Sequence, residues 1–385
     1  NYTRIRSKNS SIGECIMTKA AELAKMGEVL TNGQVSGRRN LMYNGNFQCW
    51  QRSTNVTGLG AASGYFTADR WRINLGDASA GRFTMTRTAG DPDGFNYGLV
   101  INCTTADTSI AAGEQLRINQ RFEGQDLQHL KKGTSGAETT TISFYAKIVG
   151  SATDFVVELQ DNDNTRTISK IFTFTTDWVR YYWTIPGDTT GALDQDTAMS
   201  MTLNFWLHSG SNHTSGTLNT DWNSRTNANV AAGIDSIFAS TDNEFYLAGV
   251  QWEVGSVATN FEHRSFGEER QLCYRYFYTM KAATAFMKVG HGRAYSTSNT
   301  TATYPVPVPM RANPTGSVSA NDDFGVAGLS AGGTTGTSAA AETMDDFSRF
   351  AINITRSGAD MSAGTIYQVE ADNNTDMRIN LDSEL

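Results

Sequence analysis

Between residues 83 and 207 apolar and polar side chains alternate with a period of two, run after run. Phe83 and Met85 flank Thr84, and Leu99, Ile101 and Cys103 follow at the same spacing, then Leu116 and Ile118. Ile142, Phe144, Ala146 and Ile148 are interleaved with Ser143, Tyr145 and Lys147. Phe155, Val157 and Leu159 stand opposite in parity to Glu158 and Gln160, and Phe172 and Phe174 to Thr173 and Thr175. Met201, Leu203, Phe205 and Leu207 alternate with Thr202, Asn204, Trp206 and His208. Successive side chains of a strand point to opposite faces, so each run offers one apolar face to a core and one polar face outward. A series of such strands broken by Gly, Asp and Asn turns specifies an antiparallel sandwich or jelly roll. Helical periodicity does not intervene, which excludes a βαβ fold. The expected fold is mainly β: a short N-terminal helix, a central antiparallel jelly-roll-like β-sandwich and a smaller C-terminal β lobe.

The 385 residues are enough for this arrangement in three parts. Residues 1–39 read as a helical stem and hinge. In 14–30, Ile16, Leu23, Met26 and Leu30 recur at helical spacings, thickened by Ala20, Ala21 and Ala24, with Ser10 or Ser11 as cap and Gly33 just past the end. So short a helix is marginal alone in water and needs a partner for its stripe. That partner is either its own domain or further copies of the chain. Residues 40–265 form the expected sandwich. Residues 266–385 form the expected linker helix and β-rich lobe, introduced by Ser265, Glu268 and Glu269 and by the aromatic run Tyr274, Tyr276, Phe277 and Tyr278. Those aromatics suit a lobe junction or subunit packing, and less a ligand grip. Pro305, Pro307 and Pro309 impose extended backbone, and 325–337 reads as a Gly/Ala/Thr/Ser-rich loop.

The formal net charge of −8 argues against a nucleic-acid partner. No apolar run reaches the roughly 18 residues of a membrane span, and no signal peptide is visible. The chain opens on Asn1, so a preceding segment is expected. Cys15, Cys49, Cys103 and Cys273 match no zinc spacing and read as reduced, small apolar fillers. His129, His208, His213, His263 and His291 do not stand at ligand spacing, and no nucleophile elbow, phosphate loop, zinc-protease or dinucleotide motif is present. Asp161 to Asn164 resembles the start of a calcium loop but lacks its glycine and distant glutamate, so a hairpin turn is expected there. No cofactor, metal or catalytic residue is assigned, although a pair of glycosidase carboxylates needs no sequence proximity.

Two segments carry a more specific message. The first holds Arg39, Asn40, Leu41, Asn44, Gly45, Phe47, Gln48, Trp50, Gln51 and Arg52. The second, some two hundred residues later, holds Tyr246, Leu247, Val250, Gln251, Glu253, Gly255, Ala258, Thr259, Phe261, Glu262 and Arg264. Paired in this way they resemble the opening and closing strands of a module found in bacteriophage tail-fibre and related virion proteins, with a jelly-roll-like sandwich between. Met310-Arg311 after the prolines, and Asp382, Glu384 and Leu385, resemble the lobe that often follows it. The resemblance implies a virion structural protein, most simply a tail-fibre subunit without catalysis. It implies a homotrimer built on the stem, attachment to other virion proteins through the preceding segment, and a bacterial surface glycan or protein as partner. The outline is also similar to carbohydrate-binding sandwiches; the neutral Gln48 and Gln251 argue against the calcium site some of those carry. A carbohydrate-binding module of a larger enzyme, a capsid-decorating or head-fibre protein, and a depolymerase are the alternatives.

For a glycan, the outward parity supplies Tyr145, Asn204, Trp206 and His208, an aromatic and planar polar set of the kind sugars use. The competing reading makes the same side chains subunit contacts. Trp183 and Tyr181 share a parity whose buried side the sequence leaves open. Asp69 is expected to pair with Arg70 or Arg264.

Overall fold

The computed structural model describes residues 38–77, 79–327, 334–343, 347–356, 360–373 and 375–385. The stem positions Ile16, Leu23, Met26 and Leu30, and Cys15, lie outside the described residues. Twelve strands build the sandwich: β1 (Asn55–Leu59), β2 (Arg72–Leu75), β3 (Arg82–Ala89), β4 (Tyr97–Thr105), β5 (Gln115–Glu123), β6 (Thr140–Val149), β7 (Asp154–Asp161), β8 (Arg166–Thr173), β9 (Val179–Ile185), β10 (Met199–Ser209), β11 (Asn223–Ser224) and β12 (Glu244–Val254). They form two antiparallel sheets of six. The first has the order β1-β3-β4-β12-β6-β9, the second β11-β8-β7-β10-β5-β2. Every alternating apolar set named above turns inward and joins one core. Phe144, Phe172, Phe174 and Tyr181 meet there edge to face or stacked, so Tyr181 and Trp183 share the inward parity while Arg180 and Tyr182 point out. Burying a Phe side chain contributes about 2–3 kcal/mol by transfer. The Asp161 segment is the β7–β8 hairpin turn, closed by Asn164 N–H donating to Asp161 Oδ1 at 3.0 Å.

The paired segments clasp one another across the first sheet. The Glu262 carboxylate accepts the Arg39 and Asn40 N–H groups at 3.0 and 2.8 Å. Asn40 Oδ1 accepts the N–H of Met42 and Trp252 at 3.0 and 3.1 Å. Arg264 donates to the backbone oxygens of Asn40 and Met42 and pairs with Glu269. Asn44 shapes the tight turn, bonding the Cys49 N–H and C=O at 2.9 and 2.8 Å. Gly45 lies so close to β12 that a Cβ would sit 2.1 Å from the Val250 oxygen. Only glycine allows that approach. The motif is therefore a closure device in which Asn40, Asn44, Glu262 and Arg264 bond backbone groups of the opening segment and of β12.

A capping box of Ser265 and Glu268 starts a helix, Phe266–Tyr274, as the early acidic residues suggested. The second lobe then adds β13 (Phe277–Lys281), β14 (Lys288–Ala294), β15 (Asn299–Pro305), β16 (Thr315–Val318), β17 (Phe324–Ala327), β18 (Thr334–Thr343), β19 (Arg349–Arg356), β20 (Ile366–Ala371) and β21 (Arg378–Asp382). β13, β21 and β16 form a small sheet; the other six close into a barrel in the order β14-β15-β19-β18-β17-β20. In the stretch read as a loop, 325–337, residues 328–333 lie outside the described residues, and the described ones are strand. Small Gly, Ala, Thr and Ser residues suit a loop, but here β17 pairs with β18 and β20 to complete the barrel wall.

Arginines join the lobes. Arg70 is fully buried, pairs with Glu384 and lies 3.4 Å from the Tyr276 ring centroid. Arg52 contacts Asp382 at 3.0 Å and Asp69 at 3.7 Å, with its guanidinium 3.6 Å from the Phe277 ring. Arg275 chelates Glu123 at 2.8 and 2.6 Å, and Tyr276 donates to the same carboxylate. Arg311 reaches the Thr197 and Ser383 oxygens at 3.0 and 2.7 Å. Tyr276 and Phe277 are buried at this junction; Tyr274 and Tyr278 are half-buried and meet edge to face at 5.1 Å. The ion pair expected of Asp69 is corrected accordingly. Its partner is Arg52, because Arg70 and Arg264 are drawn to Glu384 and to Glu262 and Glu269. Glu384→Gln leaves a buried guanidinium short of its counter-charge and should cost about 3–5 kcal/mol in a denaturant titration. Combining it with Arg70→Met should recover much of that loss, and an unchanged midpoint in the single variant would contradict this account.

Candidate functional site

The four residues singled out for a glycan fall on two different sheets. Asn204, Trp206 and His208 lie on the outer face of the second sheet and are fully buried. Residues 210–235 fold over that face. Val230 and Ala231 pack on Trp206 and Val156, and β11 adds to β8. Beneath this cover the Glu158 carboxylate collects Trp206 Nε1 at 2.8 Å, Asn204 Nδ2 at 3.1 Å, Thr167 Oγ1 at 2.7 Å and Arg225 Nε at 3.2 Å. Arg117 stacks on Trp206 at 4.5 Å; burial and the neighbouring Arg225, Arg121 and Arg72 lower its pKa to about 10. His208 sits between Ser236 Oγ at 2.7 Å and Glu114 Oε2 at 3.2 Å. Parity correctly placed these three away from the core, but not in solvent. The covering segment is rich in Ser, Asn and Gly, and the few apolar residues Leu218, Trp222, Val230, Ala231 and Ile234 are what packs.

Tyr145 belongs to the outer face of the first sheet, where Tyr145, Lys147 and Tyr246 are half-exposed while Thr141, Ser143, Ala248, Gln251 and Glu253 are buried. Strand register sets rows of side chains there. Lys147 is opposite Tyr246, and Tyr145 is opposite Arg180 and Ala248. The Lys147 ammonium lies 4.5 Å from the Tyr246 ring and 5.4 Å from that of Trp178, and the two rings meet edge to face at 6.0 Å. All three are half-buried. The Tyr246 hydroxyl donates to Glu244; burial and that bond push its pKa up to about 12, so it stays a donor at neutral pH. Beside this row Phe95 packs on Tyr145, Phe261 and His263 at 5.4, 5.0 and 5.2 Å. Gly249, at φ +55° in the β12 bulge, makes room for Phe95, whose ring would lie 2.5 Å from a Cβ there. Tyr182 is 62% exposed at the β9 edge. The sequence had Tyr145 and Lys147 outward; Tyr246 was concealed as a motif residue, and Trp178 precedes its strand.

Potential metal ligands converge once among the described residues. Cys49, Asp69 and Cys273 bring their ligand atoms within 4.8 Å of one another, all buried. Burial beside Cys49 raises the Cys273 pKa, so the thiol stays protonated, and burial raises that of Asp69 to about 6. Gln51 Nε2 already donates to Asp69 at 2.9 Å. These groups pack the junction between the opening segment and the helix; Cys103 fills the sandwich core.

No protein-family model matches the chain, and no curated protein matches it. Similar solved structures include a family 4 carbohydrate-binding module, 14% identical over 55% of this chain and 97% of that one, at a TM-score of 0.28. A family 61 module in complex with β-1,4-galactotriose is 9% identical over 56% and 99%, also at 0.28. The enzymatically active domain of tailspike protein 4 of bacteriophage CBA120 is 10% identical over 56% of this chain and 21% of that one, at 0.28. At these TM-scores the likenesses carry no argument about a ligand.

His208 provides a pH test of the covered face. Burial holds its pKa below the usual histidine value, so the unfolded chain binds the proton more readily than the folded one. Stability should therefore be fully present above pH ~6.5 and fall as the pH drops below it. His129 and His213, lowered in the same direction, add to this slope. His208→Gln should flatten the dependence of Tm on pH between about 5 and 6.5; a slope equal to that of the unaltered protein would refute the assignment.

Proposed function

We propose that this chain is the recognition subunit of a bacteriophage tail fibre or related virion appendage, and that it holds a host-surface glycan on the outer face of the first sheet. The observation that carries the glycan reading is the open row Trp178–Lys147–Tyr246, with Glu244, Arg180 and Tyr145 beside it. Half-exposed aromatic rings offer the flat apolar faces that pyranose C–H groups stack on, and the flanking ionic and hydroxyl groups can bond sugar hydroxyls. The virion reading rests on the two paired segments and on what they do. They close the sandwich with backbone-directed bonds and leave the Tyr246 row outside the clasp. A stem trimer would present three such faces at once, turning weak single contacts into firm attachment. The same surface would serve a carbohydrate-binding module carried by a larger enzyme.

Tyr246→Ala and Trp178→Ala should each weaken binding to isolated host-surface polysaccharide about tenfold, or ~1.4 kcal/mol, with unchanged circular dichroism. Unaltered binding in both variants would remove this face from consideration. Antibodies raised against the chain should decorate the tail or surface fibres of intact particles, and light scattering should give three times the chain mass. Undecorated particles would favour the enzyme-borne module.

A further inference from the structure

One cleft takes in the motif residues that the clasp leaves over. It lies at the junction of the lobes, has a volume of about 280 Å³, and is lined by Gln48 and Trp50 of the opening segment, Phe266 and Arg270 of the helix, Arg87 of β3 and Lys281 of β13. The clasp employs Asn40, Asn44 and Gly45 but makes no use of the Gln48 side chain. Within a chain of net charge −8, three cations meet here, and none forms an ion pair among the described residues. Two of them are held over aromatic rings, and Arg270 also shares a hydrogen bond with the Tyr274 side chain. The Arg87 guanidinium lies 4.1 Å from the Tyr97 ring, and that of Arg270 lies 5.2 and 5.8 Å from the rings of Tyr274 and Phe266. Phe266, Arg270 and Tyr274 recur every four residues, so they share one face of the helix. Stacking fixes a guanidinium plane while its edge N–H groups remain free for a planar oxyanion. Trp50 and Phe266 add apolar surface for a sugar ring, and Gln48 adds an amide.

We propose that this cleft binds an acidic saccharide unit, its carboxylate or phosphate group taken by Arg87, Arg270 and Lys281. It is a second site, separate from the Tyr246 face, and does not depend on that face binding anything. The test is calorimetric titration of the full chain with an oligogalacturonate, with inorganic phosphate, and with a neutral oligogalactoside as control. Saturable binding of an acidic probe is expected, weakening as salt is raised. Arg270→Gln and Arg87→Gln, both at exposed positions where folding is preserved, should each reduce it roughly tenfold, whereas Tyr246→Ala should leave it intact. Binding of the oligogalacturonate alone identifies a sugar carboxylate, and of phosphate alone a phosphate ester. Failure of both acidic probes to bind, or equal binding by the unaltered chain and both arginine variants, would overturn the proposal. Loss of acidic-probe binding only in Tyr246→Ala would overturn it too, while supporting the first-sheet face.

Discussion

The double acceptance of the Arg39 and Asn40 N–H groups by Glu262 is the constraint on which the rest of the sandwich hangs. β12 is a central strand of the first sheet, between β4 and β6, and the opening segment lies against it. Without the carboxylate, two backbone donors more than two hundred residues upstream would have no partner at a partly buried site. Asn40, Arg264 and Glu269 extend the same logic inward, each satisfying backbone groups that no regular sheet ladder reaches. Leaving such groups unmade costs about 1–3 kcal/mol apiece. The sequence pattern of these segments therefore reflects hydrogen-bond accounting at a seam.

That seam divides the surface into parts with different freedom. The outer face of the second sheet is sealed by residues 210–235 and filled by a network centred on Glu158. The outer face of the first sheet carries aromatic and ionic groups in open rows. The lobe junction holds Arg52, Arg70 and Arg275 in pairs, while Arg87, Arg270 and Lys281 beside it form no ion pair among the described residues.

Much of the fold was legible because period-two burial is a local property. From Phe83 to Leu207 each alternating residue went to the side its parity indicated, and Ser265 with Glu268 announced the helix. What was not legible is non-local. Parity says which side of a sheet Trp206 occupies, but whether the segment that follows its strand folds back over it depends on a few apolar residues in a polar stretch. Likewise Asp69 pairs with Arg52, because Arg70 is engaged by Glu384 of the C-terminal segment and Arg264 by Glu262 and Glu269, partners that sequence spacing does not assign. The glycan set of Tyr145, Asn204, Trp206 and His208 failed as one cluster for the same reason: its members obey the same parity in different sheets.

Arg52 meets Asp382 across 330 residues of chain. At about 5–20 residues per second, a ribosome needs on the order of tens of seconds to make that stretch. Throughout this interval the nascent sandwich carries guanidinium groups whose carboxylates have not yet been synthesised. A chain cut short in the barrel would thus lack the Asp382 and Glu384 carboxylates that Arg52 and Arg70 meet in the folded protein.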